Sequence, residues 1–387
     1  MKIRTGTPVE GDDFFGREIE LPYIWRMIQS NNFIFPSPRR VGKTSFALRL
    51  LEKAEVDGWQ TISLNLEQCT NEKTFVENFI NALQKNSRGW QKVKDKGNNL
   101  IEFISKIKPD LKVAGVEVSL NWQENKEDVF SKLSDLLNHD EPTLIFFDEI
   151  TVLLSIMIKQ ENGHETVTNF LHWLRSQRIK PGSKIRWIFC SSVGIENFTA
   201  IHKLSKATND LKEHDLESFD EPTSRAMLKK LAGDNNIELN DEVIRAIIKK
   251  LGYCLPFFLQ LMAEKIDFLN KVQKKPVDLL IVDKAYNILI EESHFNTWVE
   301  RLEEQYGDLC DQATIMLMHI CSERTGSRRE NLRNKIAENV TDIEKVDRIL
   351  AMLLSMLIND GYLMEENNLY VFRSPLLRDF WFKRFVK

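Results

Sequence analysis

The chain has 387 residues, enough for two or three domains at about 150 residues each. Apolar residues make up 42% of it and charged residues 28%, a balance that excludes a mainly disordered protein. The 53 Lys and Arg stand against 57 Asp and Glu, a formal net charge of −4, so overall charge gives no argument for nucleic-acid binding.

The first residues lack the apolar core of a signal peptide. The longest apolar stretches, 152–158 and 350–358, are well short of the roughly 20 residues that a membrane span needs. The five cysteines are scattered and form no C-x-x-C pair, a usage typical of reduced thiols. We therefore expect a cytoplasmic protein without a membrane span, disulfides or a zinc site.

Up to about residue 215, short apolar runs alternate with amphipathic segments, which predicts an α/β domain with a largely parallel sheet. Residues 112–122 alternate around a central glycine and are predicted to form an inserted hairpin. The predicted strands are 32–35, 60–66, 143–147 and 184–190, and the predicted helices are 44–54 and 72–85.

From about residue 216 the pattern becomes helical and predicts a small bundle. Its predicted helices are 221–231, 241–251, 255–269 and 282–302. A third unit begins near residue 306, with three helices and then a hairpin whose polar tip is 365–368, the layout of a winged helix. Capping boxes at 327–330 and 341–344 predict where its second and third helices begin, and Ser374 is predicted to cap the last helix.

The strongest motif lies between the first strand and the helix after it. Residues 37–44 read SPRRVGKT, close to the Walker A pattern G-x-x-x-x-G-K-[ST]. Backbone N–H groups at a helix N-terminus bind phosphate oxygens, Lys43 adds a charge at the β- and γ-phosphates, and the Thr44 hydroxyl suits Mg²⁺. Ser37 replaces the first glycine, which predicts a loop of slightly different shape. The alternative is a surface turn that happens to contain GKT.

An acidic pair, Asp148 and Glu149, ends the apolar run at 143–147. This is the Walker B arrangement, in which the Asp holds Mg²⁺ and the Glu polarises the attacking water. The alternative is a strand that simply meets solvent at a loop. Ser192, just after the strand at 184–190, is a candidate sensor of the γ-phosphate or an ordinary turn serine.

With these residues placed, the chain resembles the archaeal-type P-loop ATPases, which belong with the STAND and origin-recognition-like clade of the AAA+ superfamily and also occur in bacteria. The resemblance spans nearly the whole chain. Four stretches carry it: FFGREIEL at 14–21, PRRVGKTS at 38–45, CSSVG at 190–194 and YVFRSPLLRDFWFKRF at 370–385.

The resemblance implies a RecA-like P-loop core at 1–215, a helical lid at 216–305 and a winged helix at 306–387. It also implies that the box at 14–21 packs near the adenine. The family's glycine–proline lid motif is spread out here as Gly252 to Pro256, and no arginine finger can be assigned. The residues expected at the nucleotide are Phe15, Gly16, Arg17, Ser37, Pro38, Arg39, Arg40, Val41, Gly42, Lys43, Thr44 and Ser45.

We therefore predict an ATP-binding protein and Mg²⁺-dependent ATPase that acts as a nucleotide-driven conformational switch. Lys43, Glu149 and Ser192 are the predicted catalytic residues, and Thr44 and Asp148 the predicted metal ligands. One alternative is an ATP-gated scaffold or sensor with little turnover that binds a protein partner. Another is a DNA-binding initiator or mobile-element factor that uses the winged helix. A small-molecule kinase ranks last, and a homo-oligomer is left open.

Basic residues between 324 and 335 raise the question of DNA contact by the winged helix. Residues 310–387 as a whole carry 12 Lys and Arg against 11 Asp and Glu, far from the basic balance of a DNA reader. The cluster consists of Arg324, Arg328, Arg329, Arg333 and Lys335. A protein partner is therefore favoured over DNA for this unit.

Overall fold

The computed structural model describes residues 1–85, 126–137, 139–191, 194–340 and 342–387. The hairpin predicted at 112–122 lies outside these residues. Internal contacts divide the chain into two compact units. We call them the sheet unit (Glu18–Pro36 and Phe46–Asp215) and the helical unit (Met1–Arg17, Ser37–Ser45 and Leu216–Lys387).

A five-stranded sheet lies at the centre of the sheet unit. Its strands are β1 (Phe33–Phe35), β2 (Gln60–Asn65), β3 (Thr143–Asp148), β4 (Ile185–Cys190) and β5 (Lys212–Glu213). They follow the order β2-β3-β4-β1-β5, and every neighbouring pair is parallel. All six residues of β3 are buried, as a continuous apolar run predicts. The predicted parallel α/β sheet is confirmed.

The helices of the sheet unit pack on this sheet through aromatic side chains. Phe75 lies 4.8 Å from Phe170 between ring centroids, and Phe147 lies 5.4 Å from Trp187. This core fixes the carboxyl ends of β3 and β4. The helices are α1 (Glu20–Ile28), α2 (Lys43–Val56, which begins in the helical unit), α3 (Glu72–Lys85), α4 (Lys126–Leu136), α5 (Ile150–Met157), α6 (Gly163–Arg178) and α7 (Ile195–Ile201).

The helical unit continues with five helices after residue 216. They are α8 (Glu221–Asp234), α9 (Asp241–Leu251), α10 (Pro256–Lys271), α11 (Leu279–Glu291) and α12 (Asn296–Gln305). The single helix predicted at 282–302 is wrong. The backbone of Glu292 is extended, and the break buries Phe295 between Phe258 and Phe380, at 5.7 and 5.2 Å between ring centroids. Burial of one large ring overrides the continuous helical periodicity.

The last part of the helical unit has three helices followed by an antiparallel hairpin and a final helix. They are α13 (Cys310–Ser322), α14 (Arg329–Ala337), α15 (Ile343–Asn359), β6 (Leu363–Glu366), β7 (Leu369–Phe372) and α16 (Pro375–Phe385). Ser374 caps α16 as predicted, because its Oγ accepts the N–H of Leu377. No helix in the described ranges has both the length and the apolar character that crossing a membrane requires.

The capping box predicted at Ser327 does not form. The backbone of Ser327 pairs with Tyr370 in both directions, at 3.0 and 2.8 Å, so this residue adds a short bridge to the hairpin. Helix α14 begins after Arg328, which makes no side-chain cap. At the second predicted box, Thr341 lies outside the described residues, and the side chain of Asp342 caps α15.

Gly326 provides a test of this bridge, because its φ is +88° and an added Cβ would lie 2.8 Å from the Tyr370 carbonyl oxygen. We expect Gly326→Ala to lower the free energy of unfolding by about 2 kcal/mol or more, measured by urea unfolding. Gly233→Ala on α8 is the matched control: its Cβ meets open space and removes a helical glycine, so we expect a gain of about 0.5–1 kcal/mol. Equal effects of the two changes would contradict this account.

Candidate functional site

The Walker A-like loop follows β1 directly and runs into α2, whose first residue is Lys43. Two of its residues have left-handed backbones: Gly42 at φ +99° and Arg40 at φ +72°. A Cβ on Gly42 would meet no other atom within 4 Å, so its backbone angle, and not its space, requires glycine. The loop thus turns twice before it enters the helix.

Ser37, which replaces the first glycine of the motif, is not among the residues with positive φ. The unfavourable backbone angle expected from the sequence is therefore absent at Ser37 and present at Arg40. The Ser37 side chain is fully buried, and its Oγ accepts the backbone N–H of Leu216 at 2.5 Å. The serine thus ties the start of the loop to the segment that leads into α8.

The Lys43 side chain is 7% exposed and folds back over its own loop. Its ammonium donates to the carbonyl oxygen of Pro38 at 2.9 Å and to that of Ser37. A buried ammonium therefore lies inside the turn at the N-terminus of α2. Positive charge and helix N–H groups at one place suit an anion.

Two further residues of the loop pack on distant parts of the helical unit. The Arg40 guanidinium lies 4.3 Å above the Phe257 ring at the start of α10. Burial, followed by the nearby charges of Arg39 and Arg301, lowers the pKa of Arg40 to about 10. Pro38 packs on Gly361, whose φ is +81°, so closely that a Cβ there would lie 2.6 Å from Pro38 Cβ.

The N-terminal box at 14–21 is held by the segment before and within α8. Gly16 has φ +78°, and a Cβ there would lie 2.7 Å from Phe219 Cζ. The Arg17 guanidinium lies 4.9 Å from the Phe219 ring and donates to the Glu217 carbonyl oxygen at 2.5 Å. Phe15 beside them is half-buried. The contact of this box with adenine remains a prediction.

In the sheet unit, the acidic pair lies at the carboxyl end of β3. Asp148 is the last residue of the strand and is 8% exposed. Glu149 has a left-handed backbone, φ +55°, immediately before α5. A non-glycine residue in this region costs of order 1 kcal/mol, and such strain is concentrated at functional sites. The strain therefore singles out Glu149 independently of the motif.

The strand next to β3 ends in a serine pair, of which Ser192 lies outside the described residues. Ser191 is fully buried, and its hydroxyl is hydrogen-bonded to that of Thr151 on α5. That bond joins the end of β4 to the helix that follows the acidic pair. The sensor role of Ser192 stays a prediction.

The basic cluster at 324–335 is partly neutralised within the helical unit. Arg333 pairs with Asp347 at 2.7 Å and Lys335 pairs with Glu338 at 2.8 Å. Two of the five cations in the cluster therefore already have an acidic partner.

Substitution of Ser37 tests whether the serine stabilises the loop. Removal of the buried hydroxyl leaves the Leu216 N–H without its acceptor, so we expect Ser37→Ala to lower the free energy of unfolding by about 1 kcal/mol or more. We expect Ser37→Gly, which restores the motif, to destabilise at least as much, because the position does not need positive φ. A stabilised Ser37→Gly variant in urea unfolding would show that serine is an imperfect substitute.

No protein-family model matches this chain, and no curated protein matches it. Among solved structures, the ORC2 protein of Aeropyrum pernix, in ADPNP and ADP complexes, has 13% identity, a TM-score of 0.46 and coverage of 97% of this chain and 96% of its own. The ORC1 protein of the same organism, in complex with DNA, has 14% identity, a TM-score of 0.43 and coverage of 97% and 94%. Scores below 0.5 support no argument about fold or function.

A Walker-type ATPase of Pyrococcus abyssi is more similar, with a TM-score of 0.65. The match covers 98% of this chain and 99% of that chain, at 17% identity. Identity this low is evidence about the fold alone. Along nearly its whole length, this chain has the fold of a Walker-type ATPase.

Proposed function

We propose that this protein binds ATP with Mg²⁺, hydrolyses it, and acts as a nucleotide-driven conformational switch of the AAA+ or STAND type. The observation that carries the proposal is the loop between β1 and α2, which combines Gly42 at φ +99° with the buried Lys43 ammonium in a Walker-type ATPase fold. Residues 37–45 would hold the phosphates through backbone N–H groups and the Lys43 charge.

The residue types around the proposed site suit a nucleotide and its metal. The ammonium of Lys43 and the guanidinium of Arg40 are cations that a polyphosphate would neutralise. Thr44 and Asp148 offer the hydroxyl and carboxylate oxygens that Mg²⁺ prefers, and we assign them as its ligands. When bound, Mg²⁺ would neutralise charge on the phosphate oxygens. Glu149 would orient and activate the attacking water, and Ser192 would sense the γ-phosphate.

We assign residues 1–215 to the ATPase core, 216–305 to a lid and 306–387 to a winged helix. The three helices and hairpin after residue 309 support the last assignment, as does the bridge of Ser327 to Tyr370, which adds a third short strand. The loop contacts of Arg40 with Phe257 and of Pro38 with Gly361 support a switch, because a change in the loop would be felt at both places.

A second candidate is an ATP-gated scaffold that turns over little ATP and binds a protein partner. The pairing of Arg333 with Asp347 and of Lys335 with Glu338 favours a protein partner over DNA, because paired cations bind phosphates less well. A DNA-binding initiator or mobile-element factor is the third candidate.

ATP turnover and ATP binding test the proposal together. We expect Lys43→Ala to lower ATP affinity at least tenfold, because a buried charge at the phosphates is lost. We expect Glu149→Gln to keep ATP binding and to lower kcat by about a hundredfold or more, because the neutral amide cannot accept a proton. Lys53→Ala, on the exposed side of α2, is the matched control and should change neither quantity.

Each measurement is made with and without duplex DNA. Wild-type protein that binds ATP without turnover in either condition would favour the scaffold. Stimulation by DNA would favour the third candidate. Failure of the wild-type protein to bind ATP would refute the nucleotide site altogether.

A further inference from the structure

One arginine outside every predicted motif lies beside the loop. Arg301 is half-buried on α12, one helical turn after Trp298. The Trp298 carbonyl oxygen accepts the hydroxyl hydrogen of Tyr362 at 2.6 Å. Tyr362 directly follows Gly361, the residue that packs on Pro38 of the loop. Because residues three apart share one face of a helix, these contacts bring Arg301 to the side of α12 that faces Tyr362 and the loop.

The charges around the loop lead to the same placement. Arg301 lies close enough to Arg40 to contribute to the lowering of the Arg40 pKa, after burial and Arg39. Arg301 also lies close enough to Tyr362 to oppose the rise that burial causes in the pKa of that hydroxyl. Three guanidinium groups, of Arg39, Arg40 and Arg301, are therefore gathered around one short loop.

Like charges in a partly buried place repel one another, and the repulsion is relieved by an anion. The Arg40 guanidinium is packed on the Phe257 ring, so it is already engaged on one face. A guanidinium presents a fork of N–H groups that matches phosphate oxygens in a bidentate way. The stabilisation of the cluster grows with the charge of the anion, and ATP carries one more phosphate group than ADP.

We infer that Arg301, supplied by α12, binds the phosphate groups of the nucleotide held by the loop and makes the site prefer the triphosphate to the diphosphate. The inference rests on the proposed function and extends it, because it gives the distinguishing contact to a residue outside the Walker motifs. Arg301 is a binding residue in this account and takes no part in proton transfer.

The test measures dissociation constants for ATP and for ADP, with Mg²⁺, by isothermal titration calorimetry. We expect Arg301→Gln to weaken ATP binding about tenfold or more and ADP binding threefold or less, because the lost contact is with the more highly charged ligand. Arg301→Lys keeps the charge but loses the fork, so we expect a smaller fall in the preference for ATP. It also provides the reading should Arg301→Gln fail to fold.

Arg384→Gln is the matched control. Arg384 is exposed on α16 and donates to Asn296, the first residue of α12, so this change removes an arginine contact with the same helix. We expect its ratio of ATP to ADP affinity to equal that of the wild type. Urea unfolding of each variant separates a change in stability from a change in this ratio.

The outcomes separate the two proposals. If the wild type binds ATP, Lys43→Ala does not, and both Arg301 variants keep the wild-type ratio, the inference about Arg301 is overturned and the proposed function stands. If the wild type binds neither nucleotide, both are overturned. A reduced ratio in the Arg301 variants, with the Arg384 control unchanged, supports the inference.

Discussion

The packing of Pro38 on Gly361 is the constraint on which the rest of the candidate site depends. No side chain fits at Gly361, since a Cβ would lie 2.6 Å from Pro38 and the backbone has φ +81°. Together with the hydrogen bond from the Leu216 N–H to Ser37, this contact gives the loop most of its fixed surroundings. Its turn is therefore held by tertiary packing and not by local sequence preference alone.

Backbone strain in the loop is balanced by the same packing. A left-handed backbone at a residue such as Arg40 costs roughly 1–2 kcal/mol. A guanidinium packed on an aromatic ring contributes roughly 0.5–2 kcal/mol, the upper end when it is desolvated. The contact with Phe257 is thus of the right size to offset the strain. At Glu149, the comparable strain occurs next to a buried carboxylate, that of Asp148.

Much of the sheet unit could be predicted because its signals are local. The apolar run at 143–147 is a buried strand, and the helix predicted at 72–85 has those bounds in the structure. Both are decided by composition over a few residues. The loop motif is also local, so its place between β1 and α2 followed from the sequence.

The errors and omissions have a non-local cause. The break after α11 depends on Phe295 reaching a space between rings from α10 and α16. Ser327 pairs with Tyr370, far along the chain, in preference to capping the helix beside it. Arg301 carries no sequence signal at all, since its closeness to Arg40 arises only from the fold. Three-dimensional packing decides each of these, and periodicity does not encode it.

The contact of Pro38 with Gly361 also has a consequence for the order of events during synthesis. The ribosome makes the loop early, but Leu216, Phe257 and Gly361 emerge only after all five strands of the sheet. A nascent chain therefore carries a complete loop sequence while the partners that shape it do not yet exist. The loop is among the last parts of the molecule to acquire its native packing, although it lies near the beginning of the chain.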